Sequence, residues 1–199
     1  MADDKSGRDK QARDEDRRQR EREIDTEIER GDESEPSVDT SPLDYFETEL
    51  DSLKFPATGA EIVAVIGDRA VELGDEHYTV EELVPEVDSE HFDSPSALNV
   101  RLQRPTIAAG MKRVLEATNT LPNAELGDSQ RDAYEKTFQE LKAIDADDDD
   151  EGIAAIADWI VEHIREKESL PGSRDVRREA ATFCRTNGYE IRNSEWLGI

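Results

Sequence analysis

The sequence predicts a mostly helical α+β protein: a small α+β domain with a short hairpin, followed by a three-helix C-terminal domain. Two observations point to helix and one to strand. Apolar residues recur at spacings of three and four through much of the chain, as in Ile153, Ile156, Ile160 and Ile164, the period of a helix with one buried face. Helix starts are marked by Ser-Pro pairs, or by Thr with Glu three residues later, both of which satisfy the open N–H groups of a first turn. One stretch, around Gly74-Asp75-Glu76, sets two short β-prone runs on either side of turn residues. This reading divides the chain into a charged arm and linker over 1–40, the α+β domain over 41–118 and the helical domain over 119–199.

The arm comes first. Residues 1–30 hold 11 acidic and 9 basic residues, with Arg17, Arg18, Arg20 and Arg22 clustered. Ile24 and Ile28 are its only branched aliphatic residues, too few to build a core. It is expected to be disordered, or a solvated helix laced by Glu–Arg pairs four residues apart. Residues 31–40 (GDESEPSVDT) read as linker. Ser41-Pro42 then opens a short helix. Its stripe of Leu43, Phe46, Leu50 and Leu53 should dock on the domain that follows.

In that domain Thr58 and Glu61 form a capping-box pattern ahead of Ile62, Val63, Val65 and Ile66, and Gly67 stops the helix. Residues 69–73 and 77–80 read as the hairpin strands. Thr79 and Glu82 repeat the capping pattern for a short helix over Leu83 and Val84. Ser94-Pro95 starts another, carrying Leu98 and Leu102. Pro105 interrupts it, and residues 107–117 continue as a helix with Met111, Val114 and Leu115. Phe55-Pro56-Ala57-Thr58, the Glu61-Ile62-Val63 helix, Gly67-Asp68 before a strand and Phe92-Asp93-Ser94-Pro95 together resemble a small domain family of haloarchaea. That family has no assigned function. The resemblance covers about residues 55–115 and implies a source and a fold unit, but no activity, cofactor or site residue.

The last part reads as helices only. Ser129 is expected to cap one that runs to about Ile144, with Tyr134, Phe138 and Leu141 on one face. A second carries the four isoleucines, with Trp159 beside them, and ends at Leu170-Pro171-Gly172. Ser173 is expected to cap a third, with Val176, Ala180, Phe183 and Cys184 inward and Gly188 as its stop. Tyr189, Ile191 and Trp196 are candidates to pack back on these helices.

Charge sets the environment. The chain carries 50 acidic against 25 basic residues, a net charge of −25. Such a chain repels itself in dilute buffer, and multimolar salt screens that repulsion to a few ångströms. The sequence thus reads as a cytoplasmic protein of a salt-accumulating halophilic archaeon. Residues 163–199 hold 6 acids and 7 bases, so the acid excess lies almost wholly in 31–162. An overall negative charge counts against a protein that coats nucleic acid. The single cysteine rules out an intramolecular disulfide and a Cys-based metal cage. No run approaches the roughly 18 apolar residues of a membrane helix, and the first residues lack the apolar core of a secretory signal. The expectation is therefore no membrane contact.

Few residues suggest chemistry. Asp147-Asp148-Asp149-Asp150-Glu151-Gly152 invites a calcium loop, but Ala155 and Asp158 stand where a ligand and a bidentate Glu are needed. Acids ahead of a helix also simply favour its positive end. His77, His91 and His163 have no His or Cys partner at zinc spacing. Cys184 falls on an apolar helix face, as an inert thiol would. No Gly-rich phosphate loop is present. The reading is of no catalytic residue, no metal and no cofactor.

One constellation stands out. On the last helix Arg174, Arg178 and Arg185 fall within about 40° of one another, and Arg177 about 60° to one side, at ~100° per residue. Such a stripe suits carboxylates or phosphates. The phrase from Ile164 through Leu170-Pro171-Gly172-Ser173 to Val176 also resembles the opening of winged helix-turn-helix repressors. Only residues 189–199 follow it, too short for a recognition helix and a wing. The sequence is thus read as a non-enzymatic adaptor or regulatory protein that binds another protein. The alternative is a nucleic-acid-associated regulator using Arg17, Arg18, Arg20 and Arg22 with the arginine stripe.

Overall fold

Local signals set most element boundaries in the computed structural model, which describes residue 50 and residues 52–73, 76–122, 124–144 and 150–189. All of these belong to one compact unit spanning Thr40–Ile199. The charged arm with its linker, Leu43, Phe46, Gly74, Asp75, residues 147–149, Ile191 and Trp196 lie outside the described residues. Among those described, the order is β1 (Ala57–Thr58), α1 (Gly59–Ile66), β2 (Ala70–Leu73), β3 (Glu76–Thr79), α2 (Val80–Leu83), β4 (His91–Phe92), α3 (Pro95–Leu102), α4 (Pro105–Thr118), α5 (Asp128–Lys142), α6 (Glu151–Lys167) and α7 (Ser173–Asn187). The protein is mostly helical, as the sequence predicts, and its described residues hold two small antiparallel sheets where the sequence predicts a single hairpin. No described helix is long and apolar enough to cross a membrane.

The capping box at Thr58 is complete: its hydroxyl accepts from the Glu61 N–H at 3.1 Å, and Glu61 accepts from the Thr58 N–H at 2.8 Å. At Thr79 only the return half is made. Glu82 accepts from the Thr79 N–H at 2.7 Å, while the buried Thr79 hydroxyl has no partner among the described residues. Ser94 caps α3 by accepting from Ala97 N–H at 3.2 Å, and Pro95 and Pro105 open α3 and α4. Two expected caps shift. Gly127, not Ser129, precedes α5, and Gly172, not Ser173, precedes α7. Both glycines are extended, and their carbonyls accept from Arg131 and Val176 N–H groups, so the helices begin before the serines can cap them.

The hairpin forms with slightly different limits. Val71 faces Tyr78 and Leu73 faces Glu76, so Glu76 is a strand residue. Val80, expected in the strand, opens α2; its N–H donates to the Arg69 carbonyl at 3.0 Å. The sheet of β1 and β4, with Ala57 opposite Phe92, was not expected.

Burial organises these elements around two cores. One gathers Leu50, Ala57, Ile62, Ile66, Val71, Val80, Leu83, Phe92, Leu98 and Leu102. The other gathers Tyr134, Phe138, Leu141, Ile153, Ile156, Ile160, Ile164, Val176, Ala180 and Cys184 from α5, α6 and α7. Helix α4 serves both: Ala108 enters the first, and Ile107, Met111 and Val114 enter the second. The three C-terminal helices pack on one another as expected, and α4 joins them as a fourth.

Gly59 fixes how α1 seats. Its N–H donates to the Glu90 carbonyl at 2.8 Å, and a Cβ there would stand 2.1 Å from the Pro85 carbonyl oxygen. That oxygen is backbone and cannot rotate away. Gly59→Ala should therefore lower stability by about 1–3 kcal/mol, the usual cost of overpacking. Urea denaturation measures it, and an unchanged midpoint would mean that α1 can shift to make room.

Candidate functional site

Helix α7 buries Val176, Ala180, Ala181 and Cys184. Phe183, expected inward, is only partly buried and lies against Tyr189 with ring centres 6.0 Å apart. Because Ala181 is buried, the core face reaches round towards the arginines, so the stripe occupies a flank of α7 instead of its back. Arg174, Arg178 and Arg185 are all exposed on that flank. Arg178 Nη1 donates to Asp175 Oδ1 at 3.0 Å, and Arg185 Nη2 to Thr182 Oγ1 at 3.4 Å. Arg177 is half-buried, its Nε 3.4 Å from the Ser173 carbonyl. The four arginines proposed from Arg17 to Arg22 lie outside the described residues.

A second cluster escaped the sequence reading. Glu90, just before β4, has a side chain only 1% exposed. Its Oε1 accepts from Arg101 Nη2 of α3 at 3.1 Å and also from Arg131 of α5. Glu135 of α5 lies 3.9 Å from Arg101 and 3.8 Å from Arg104. Three guanidinium groups and two carboxylates thus join the segment from β4 to α4 with α5. Burial pushes the Glu90 carboxyl up, outweighing the pull of Arg101 and Arg131 downwards. Burial likewise pushes Arg101 down, against the opposing effect of Glu135 and Glu90. In a sequence with 50 acids, nothing distinguishes this one carboxylate. The scarcity of bases in the acid-rich middle was the only available signal.

Beside this cluster opens a cleft of about 690 Å³, lined among others by Asp88, His91, Leu115, Leu126, Asp128 and Arg131. A second hollow of about 700 Å³ lies along α4 and α6, where Arg113 pairs with Asp158. Asp158 is therefore engaged by an arginine. Asp150 accepts from Thr106 Oγ1 at 2.9 Å and from Lys142, tying α4, α5 and the start of α6 together. Among the described residues no group of three or more His, Cys, Asp and Glu could hold a metal ion. His77 and His91 are exposed, and His163 lies against Trp159 with ring centres 5.5 Å apart.

With this geometry in hand, comparison with known proteins adds one finding. Residues 42–111 match a family of unknown function (DUF5789). The matched segment takes in the Leu43–Leu53 stripe and ends at Met111, inside α4. It contains Glu90, Arg101 and Arg104, whereas Arg131 and Glu135 lie beyond it. No curated protein and no solved structure matches the chain.

Tyr134 anchors the turn between α6 and α7. Its hydroxyl donates to the Pro171 carbonyl, and Gln130 Nε2 donates to both oxygens, at 2.9 and 2.7 Å. Burial pushes this phenol up to about 12, although the Gln130 bond works the other way. Its folded pKa exceeds the ordinary value, so its contribution is intact below about pH 10 and fades as pH rises towards 12. Tyr134→Phe should cost about 1 kcal/mol at neutral pH and remove the last component of the phenolate absorbance titration. A titration unchanged by the substitution would place that component elsewhere.

Proposed function

We propose that this protein acts by binding another protein through the outward arginines of α7, without catalysing a reaction. The observation that carries this reading is the exposure of Arg174, Arg178 and Arg185 along one flank of α7 in a chain of net charge −25. Such a flank attracts the carboxylates that the rest of the chain repels. A guanidinium grips a carboxylate through two parallel hydrogen bonds, a geometry that depends less on long-range field than a simple charge does. Of the three, Arg178 is held by Asp175, an exposed pair weak enough for a partner to displace. The Glu90 cluster favours binding over catalysis, because its charges are turned on one another instead of towards a common substrate. The setting we infer is the cytoplasm of a halophilic archaeon, where salt screens the acid excess.

Changing Arg174, Arg178 and Arg185 together to Gln should abolish capture of the partner at multimolar KCl, read by pull-down and mass spectrometry. Exposed substitutions shift stability by less than about 0.5 kcal/mol each, so the variant should melt close to the parent. Early melting, with capture in proportion to the folded fraction, would reduce the stripe to a structural role. Tight DNA binding at high salt, lost in the same variant, would replace the protein partner with nucleic acid.

Salt provides a separate check. Circular dichroism across a KCl series should show the fold loosened well below about 1 M, where screening reaches beyond ~3 Å, and recovered above it. A melting temperature indifferent to salt would remove the halophilic setting while leaving the arginine flank untouched.

A further inference from the structure

The cleft beside Glu90 has two walls, and a charge pair between Glu90 and Arg131 bridges them. One wall is the segment 88–91. The other is the end of α4, the connection after it and the start of α5. Where the cleft ends, Glu90 reaches across to Arg131, and behind it Arg101 and Arg104 reach towards Glu135. An apolar seam resists opening because water gains nothing there. A buried ionic seam differs: each charge gave up hydration to enter it, and mutual attraction often fails to repay that loss.

We propose that this joint is a pH-sensitive clamp on the cleft, closed when Glu90 is protonated and loosened when Glu90 is ionised. The geometry supplies the asymmetry. The Glu90 side chain is 1% exposed and that of Arg101 is 9% exposed, so closure dehydrates both. Opening towards the cleft rewets Glu90 and Arg131, while Arg101 keeps Glu135. Helix α4, buried in both cores, is the element that stays in place.

The sign follows from proton linkage. Burial holds the Glu90 carboxyl above its ordinary range even with two guanidinium groups beside it. Taking the open form as hydrated, the closed form binds the proton more tightly. A proton from solvent on Glu90 therefore favours closure, and the joint loosens as pH rises through the closed-state pKa. One titrating group changes the open-to-closed ratio by at most about tenfold per pH unit. The other charged groups facing Glu90 are Arg101 of α3, Arg131 and Glu135 of α5, and His91 beside it. Asp88 and Asp128 line the adjoining cleft.

Spin labels at Ser89→Cys and Ser129→Cys, both exposed positions, in a Cys184→Ala background of the full chain, report the cleft width. At constant KCl, pulsed dipolar spectra should give a short, narrow distance at mildly acidic pH and a longer, broader one at neutral pH. Glu90→Gln, which mimics the protonated side chain, should stay short and narrow at both. A distance indifferent to pH in the parent would overturn the proposal. So would a long distance in Glu90→Gln at both values, because the ion pairs would then be what holds the joint. Hydrogen exchange on the unlabelled proteins at one neutral pH covers the case where labelling disturbs the fold. Amides of 88–91 and 128–135 should exchange more slowly in Glu90→Gln than in the parent, with α6 unchanged. Faster exchange in the variant would overturn the clamp.

Discussion

The structure depends on one helix being buried twice. Helix α4 places Ala108 in the α+β core and Ile107, Met111 and Val114 in the core of α5, α6 and α7. A helix with apolar residues over so much of its surface has little face left for water. Gly110 shows how close the packing is: a Cβ there would come 3.1 Å from Ile153 and 3.2 Å from Phe138. Both cores draw buried residues from this helix, so the two share one determinant of stability. The family match ends at Met111, within α4. The matched segment therefore includes part of a helix that the C-terminal core also needs.

Around that spine the two halves are joined by different kinds of contact. Along α4 the seam is apolar and tightly packed. At Glu90 it is ionic, with Glu90 and Arg101 both pushed towards their neutral forms by burial. Apolar contact supplies adhesion, and the charges supply orientation: Oε1 of Glu90 receives guanidinium groups from two helices that do not adjoin in sequence. An arrangement of this kind specifies how α5 sits against α3 more than it adds to stability.

The legibility of the sequence follows the range of each interaction. Thr58 with Glu61, and Ser94 with Pro95, act within one helical turn, so their residues identify them. Apolar spacing likewise exposed the buried faces of α5 and α6. Ser129 and Ser173 misled by one or two positions, because the extended glycines before them begin the helices first. The pairing of β1 with β4 was invisible: strands of two residues show no alternation, and their partners are far apart along the chain. Ala181 altered the arginine site because a small residue on a helical wheel does not announce which neighbour will cover it. Glu90 needed the fold itself, since only tertiary packing separates one buried carboxylate from the many that are solvated.

The position of Cys184 has a consequence of another kind. It is fully buried among Val176, Ala180 and the isoleucines of α6, and a thiol so enclosed is inert to oxidants in the native state. Unfolding exposes it, and each chain then presents one thiol with no second cysteine in this sequence to meet. Two unfolded chains in air can thus couple through a disulfide, and the product cannot bury either sulfur as before. Heating under oxidising conditions becomes a one-way process, whereas a reductant leaves the same transition reversible with respect to this route. The core around α7 therefore keeps the folding equilibrium apart from an irreversible chemical sink.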